Sequence, residues 1–232
     1  MPEEPTPPPT RWPLAPPGAT DRLFDLCGDG LTGFMPPPAP DAAWVLNAMY
    51  EHHHGPAGRP HHGPGRAEHP GPGWQRLRWA ELARRTGDPV VPEGRLPSHR
   101  CFPSAGKQGT RPPAILPPTE GSLDRETWNR LIGVLAAHSP AGPDTPCRAY
   151  YSPLALRAAD FEDRHVRAGR LGDAAALYDD PEVDFSPSNL WAEDRSWVLC
   201  TDYDLWGTKV AGPPALIEAL LDDPEIEAVR LP

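Results

Sequence analysis

The chain has 232 residues, a formal net charge of −10 and a mean hydropathy of −0.54, and no apolar run reaches the roughly 18 residues that a bilayer span needs. Its 35 prolines are several times the usual share of about 5%, so much of the chain is excluded from helix interiors and central strands. Residues 1–150 hold 15 acidic and 15 basic side chains while 151–232 hold 17 and 7; this acidic last third repels phosphate backbones and argues against nucleic-acid binding.

Residues 1–20 (MPEEPTPPPTRWPLAPPGAT) predict a disordered, polyproline-like tail. Residues 21–51 predict a short helical arm. It starts with the apolar turn Leu23 to Leu26, closed by Gly28 and Gly30. Past Pro36-Pro37-Pro38, Asp41 caps a helix to about Tyr50 with Trp44, Val45, Ala48 and Met49 on one face. Residues 52–73 read as a His/Pro/Gly-rich linker, and 74–232 as the main domain.

Within that domain a helix over 74–86 carries Trp79, Leu82, Ala83 and Thr86 and stops at Gly87, and 87–121 is broken by Pro and Gly. A second helix runs from Ser122, its cap, to His138, with Asp124 and Glu126 in the first turn and Trp128, Leu131, Ile132 and Leu135 as its apolar stripe. Cys147 to Ser152 reads as a strand, 158–178 as a weaker helical stretch interrupted by Gly169 and Gly172, and 179–190 as loop. Ser196–Thr201 and Trp206–Val210 form an antiparallel hairpin through Asp202-Tyr203-Asp204. Pro213-Pro214 open a helix with Leu216, Ile217, Leu220 and Leu221 on one side, Pro224 closes it, and Ile226–Leu231 form a last strand. This β-β-α-β unit following helices predicts an α+β fold.

Four features carry chemistry. The histidines His52, His53, His54, His61, His62 and His69 suit a borderline metal, yet a Gly/Pro loop supplies none of the rigid support that a working metal site needs, so they read as a solvated linker with weak metal affinity. Glu162 and His165 have the i, i+3 spacing of helical carboxylate-bridged metal proteins, but the motif occurs once where such sites need it twice. Asp202 and Asp204, with Asp194 and Glu193 before the first hairpin strand, are the carboxylates best placed to hold one divalent metal beside a phosphate or to act as acid and base; Asp is also common in turns for its backbone hydrogen bonding. Trp191, Trp197 and Trp206 cluster at the hairpin, where tryptophans are usually core and, if exposed beside carboxylates, form a recognition surface.

Other signatures fail. Gly106-Lys107 lacks the first glycine of a phosphate loop and the following Ser or Thr, and Asp88-Pro89 and Pro92 interrupt any recognition helix after Trp79–Gly87. Cys27, Cys101, Cys147 and Cys200 are too dispersed for a structural zinc site. Together with an N-terminus, Met1-Pro2-Glu3-Glu4, that lacks signal-peptide character, they predict a cytoplasmic protein with reduced thiols.

Arg outnumbers Lys 20 to 2, as a GC-rich genome encodes. The run Asp194-Arg195-Ser196-Trp197, then Thr201-Asp202-Tyr203-Asp204, then Thr208-Lys209-Val210-Ala211-Gly212 and a last amphipathic helix resembles a D-R-x-W, T-[DE]-x-D, T-x-V-x-G pattern of uncharacterised proteins of GC-rich bacteria. The resemblance covers roughly the final 45 residues and implies a recurring domain without an assigned activity.

Two functions follow as expectations. The first is a non-catalytic cytosolic interaction module, accessory or immunity-like, that binds a protein partner through its acidic, Trp-bearing C-terminal surface and needs no cofactor, nucleic acid or membrane. The alternative is a metal-dependent enzyme on a small polar or phosphorylated substrate, with Asp202 and Asp204 as ligands of a divalent metal and Asp194 or His165 as base.

Overall fold

The computed structural model describes residues 12–16, 18–19, 40–53, 69–102, 114–152, 166–179 and 186–231. Its ten strands in chain order are β1 (Asp41–Leu46), β2 (Met49–His52), β3 (Trp74–Leu77), β4 (Ile115–Leu116), β5 (Pro146–Tyr150), β6 (Val166–Arg170), β7 (Asn189–Ala192), β8 (Val198–Thr201), β9 (Gly207–Gly212) and β10 (Ala228–Arg230). Four helices accompany them: α1 (Trp79–Thr86), α2 (Arg125–Ala137), α3 (Ala175–Tyr178) and α4 (Pro214–Asp222). The fold is α+β: a seven-stranded antiparallel sheet of order β10-β1-β9-β8-β7-β5-β6, and a small antiparallel sheet of order β3-β2-β4.

Side chains alternate across the large sheet and both faces are covered. Ala43, Val45, Val210, Leu199, Leu190, Cys147 and Ala149 meet Trp128, Leu131 and Leu135 of α2 and Leu216, Ile217 and Leu220 of α4 in one core. On the reverse face, Trp44, Leu46 and Cys200 pack with Trp79, Leu82 and Ala83 of α1, with Phe102 and with Trp206. Ala42, Tyr150, Trp191 and Val198 continue that face.

The C-terminal elements match expectation: β8, α4 and β10 form within the predicted spans, and β9 forms at its predicted place and runs two residues past Val210, to Gly212. Their assembly adds something: β10 pairs with β1, which pairs in turn with β9, so the returning strand is held one place away from the hairpin. The helical arm expected over 21–51 is corrected where it is described. Residues 41–46 and 49–52 are strands, because a strand buried on both faces reads as a continuous apolar run, Ala42 to Leu46, that periodicity cannot distinguish from helix.

Four further expectations change. The helix predicted over 74–86 begins only at Trp79, and 74–77 is β3. The α2 cap is Asp124, whose Oδ1 accepts the Thr127 N–H at 3.0 Å, while Ser122 Oγ instead accepts the Ser186 N–H at 2.9 Å. Of the described part of the stretch 158–178, Val166–Arg170 is a strand, Leu171–Asp173 a 3-10 turn and Ala175–Tyr178 α-helix, and β7 (Asn189–Ala192) begins inside the loop predicted over 179–190.

Part of the proline-rich tail is built into the fold. Trp12 is 3% exposed, lies against the backbone of Gly169 and donates its indole N–H to the Asp173 carbonyl at 3.0 Å. The Ala168 N–H then donates to Pro13 and the Ala15 N–H to Val166, so this segment covers the outer edge of β6. Proline is compatible with such an edge because only alternate N–H groups face the sheet.

Three thiols are buried in these cores. Burial, then Glu193 and Asp194, push Cys147 up to about 12; burial, then Asp202, push Cys200 up to about 12; burial raises Cys101. A thiol pKa raised on folding contributes stability that is fully present below the unfolded value near 9 and lost as pH rises through the folded value. Denaturation midpoints are therefore expected to stay level up to about pH 9 and fall between pH 9 and 12. In a Cys27→Ser variant, a colorimetric thiol reagent at pH 8 should modify none of the remaining thiols in the folded protein and all of them in guanidinium chloride.

Candidate functional site

The two turns that flank β8 carry the predicted carboxylates, and they stand at opposite ends of that strand. Asp194, in the β7–β8 turn, is exposed; its Oδ1 accepts the Ser196 N–H at 2.9 Å and the Ser196 hydroxyl at 2.6 Å, beside Arg195 in the left-handed region at φ 64°. Asp202, in the β8–β9 turn, is 3% exposed; its Oδ1 accepts the Asp204 N–H at 3.3 Å and its carbonyl accepts the Leu205 N–H at 3.0 Å. The four residues of β8 alone put about 13 Å between the turns at about 3.3 Å per residue. Asp202 and Asp204 are brought together, and Asp194 is separated from them.

Among the described residues no three His, Cys, Asp or Glu side chains are grouped so as to hold a metal ion. His52 ends β2 with its ring 5.2 Å from that of Trp74, His53 begins the following turn, and His69 lies 5.0 Å from the Tyr50 ring. His54, His61, His62, Glu162 and His165 lie outside the described residues.

The three tryptophans are core residues in three different clusters. Trp191 is 4% exposed on the reverse face of the sheet, Trp197 is 2% exposed and donates its indole N–H to Ser139 Oγ at 2.8 Å, and Trp206 is 6% exposed and stands edge-on to Trp79. A recognition surface built on exposed tryptophan is corrected by that burial. The exposed aromatic at the hairpin is Tyr203, at 38%, which the sequence reading passed over as part of a turn. Desolvation, then Asp204 and Asp202, raise its hydroxyl above the ordinary value, so it stays a neutral donor.

Much of the acidic surplus is consumed internally. Arg125 pairs with Asp179 at 2.6 Å, Arg130 with Asp223 at 2.7 Å and Glu225 at 3.4 Å, and Arg148 with Glu193, so arginines of α2 and β5 neutralise carboxylates of the last third. Burial alone would raise the Asp223 carboxyl; the Arg130 hydrogen bond and the N–H groups of Glu225 and Ile226 outweigh it and hold the group below its ordinary value. Asp204 and Glu120 stay exposed at the β8–β9 end.

That end is fixed from three sides. Gly121, at φ +72°, donates its N–H to the Leu205 carbonyl at 2.9 Å and passes so near the Tyr203 backbone that a Cβ would lie 2.7 Å from Tyr203 Cα. The Trp206 N–H donates to Pro97, which also packs on Gly207, next to Leu96 at 46% exposed. Asn47, 1% exposed, donates its N–H to Trp206 and its amide to Thr119 and accepts the Trp79 indole at 2.9 Å. The chemistry available is that of a rigid, partly acidic binding edge: a hydroxyl donor, two carboxylates and an apolar side chain.

Gly121→Ala should test that rigidity: the left-handed backbone and the close approach to Tyr203 predict a loss of about 1–3 kcal/mol, read as a lower urea midpoint with an unchanged slope. Comparison with known protein families, curated proteins and solved structures gives no match to this chain.

Proposed function

We propose that the protein is a non-catalytic interaction module whose β8–β9 turn docks a neutral or basic partner protein. The observation that carries this reading is the presentation of Tyr203 between Asp202 and Asp204 on a turn clamped by Gly121 and Pro97, with Leu96 exposed on the adjoining segment. A pre-ordered turn loses little conformational entropy on binding, an exposed tyrosine supplies contact area with a polar tip, and carboxylates at the rim select against acidic partners. The metal-dependent alternative in its three-carboxylate form needs Asp194 to cross the length of β8, and it gains no support from this arrangement.

A photoreactive phenylalanine analogue placed at position 203 in the native host should give a discrete cross-linked adduct that is absent when the analogue replaces exposed Ala175 and is lost on adding Asp204→Lys. Identical adducts at both positions would remove the turn as a docking site. In parallel, calorimetric titration with Mg2+ and Mn2+ should show no stoichiometric binding; tight binding abolished by Asp202→Asn would replace this reading with the metal-dependent one.

A further inference from the structure

The large sheet has two outer strands, β6 and β10, and the chain treats them differently. Trp12 to Ala15 cover β6, whereas β10 pairs with β1 alone. The register sets which main-chain groups β10 leaves over. The Leu46 N–H donates to the Glu227 carbonyl at 2.8 Å and the Leu231 N–H to the Ala42 carbonyl at 2.9 Å, so Glu227, Val229 and Leu231 bond toward β1. Ala228 and Arg230, in the intervening non-hydrogen-bonded pairs, turn their N–H and carbonyl groups outward, and among the described residues nothing takes them.

The side chains along this edge divide between the two faces. Val229 and Leu231 are half-buried on the reverse face, against the core of Trp44 and Trp79. Ala228 and Arg230 lie on the α4 face, where Arg230 donates to Glu218 at 2.7 Å and reaches Asp41 at 3.3 Å. Asp222 stands one turn beyond Glu218 on the same flank of α4, exposed and, among the described residues, without an ion-pair partner. A short connection, 223–227, joins the end of α4 to the start of β10, so Asp222 stands toward the Ala228 end of the strand and Glu218 toward the Arg230 end.

An edge of this kind is complementary to itself. Two copies of β10 set antiparallel, with a two-fold axis between their Val229 residues, place each Ala228 opposite the other copy's Arg230, in pairs that exchange the outward N–H and carbonyl groups. The small Ala228 leaves room for the arginine. The two Val229 side chains meet across the axis, and Arg230 of each copy rises at the level of the other's unpaired Asp222. α4 packs chiefly on β1, so the two α4 helices stand three strand spacings apart, about 14 Å. That exceeds the roughly 8–10 Å of direct helix packing, and the two arginines fill the gap.

We propose that the protein forms a two-fold dimer through β10, which joins two large sheets into one and pairs Arg230 of each copy with Asp222 of the other. A second copy is favoured over an unrelated strand because the edge supplies both members of each contact, Ala228 with Arg230 and Asp222 with Arg230. The surface is separate from the Tyr203 turn and from β6, which stays covered. The competing account is that a three-residue strand bearing an arginine is an edge guarded against pairing, and it predicts a monomer.

The test is sedimentation velocity of the full chain over a concentration series reaching hundreds of micromolar. A reversible monomer–dimer equilibrium is expected. Ala228→Pro removes an outward N–H and no bond within the fold, so it should abolish the dimer and keep the far-ultraviolet circular dichroism of wild type. If that variant fails to fold, Asp222→Arg, at an exposed position, should still weaken dimerisation at least tenfold. Cysteine placement reads the register: in a Cys27→Ser background under oxidised glutathione, Val229→Cys should form a disulfide-linked dimer and Ala228→Cys should not, since only position 229 meets itself across the axis. A monomer at every concentration, a dimer insensitive to both Ala228→Pro and Asp222→Arg, or equal cross-linking from positions 228 and 229 would each overturn the proposal, and none of these outcomes bears on the Tyr203 turn.

Discussion

The architecture depends on β1 lying between β9 and β10. Those two strands are joined by α4 and run in the same direction, and without an intervening strand they would stand about 9.6 Å apart, two strand spacings, with unpaired edges facing each other. β1 fills the gap with six residues paired to β9 and three to β10. It also contributes to both cores at once, Ala43 and Val45 to the layer under α2 and α4, Trp44 and Leu46 to the layer under α1. Closing the sheet therefore waits on contacts between residue 41–46 and 207–230, a sequence separation that raises the entropy cost of the folding transition state.

The same strand explains what the sequence conveys and what it hides. Helix α4 announces itself through Pro214 at its start and the spacing of Leu216, Ile217 and Leu220; α2 does so through its Trp128, Leu131 and Leu135 stripe. β1 is hidden because burial on both faces erases alternation, and β6 because Gly169 and Gly172 resemble breaks in a helix until Trp12 is seen lying on Gly169. At the functional level, Asp202 and Asp204 stand two residues apart in one turn, so their proximity was legible. The separation of Asp194 from them is a property of strand rise.

Charge is sorted in the folded molecule differently from its distribution along the chain. Arginines drawn from α2 and β5 cancel part of the acidic last third, leaving a carboxylate-flanked turn at the β8–β9 end, while the arginines of α1 are paired with Glu81 and Glu51. Asn47 connects the two, bonded to Trp206 and Thr119 behind the turn and to Trp79 at the start of α1. No helix among the described residues is long and apolar enough to cross a membrane.

Trp12 and the prolines around it occlude the outer strand of the large sheet. Removing the first 39 residues to obtain a more tractable protein would strip that cover and bare the β6 backbone together with the apolar hollow over Gly169. Such a shortened chain would be prone to pair with itself along β6. Any dimer it formed would be an artefact of trimming, created where the intact chain has already supplied its own neighbour.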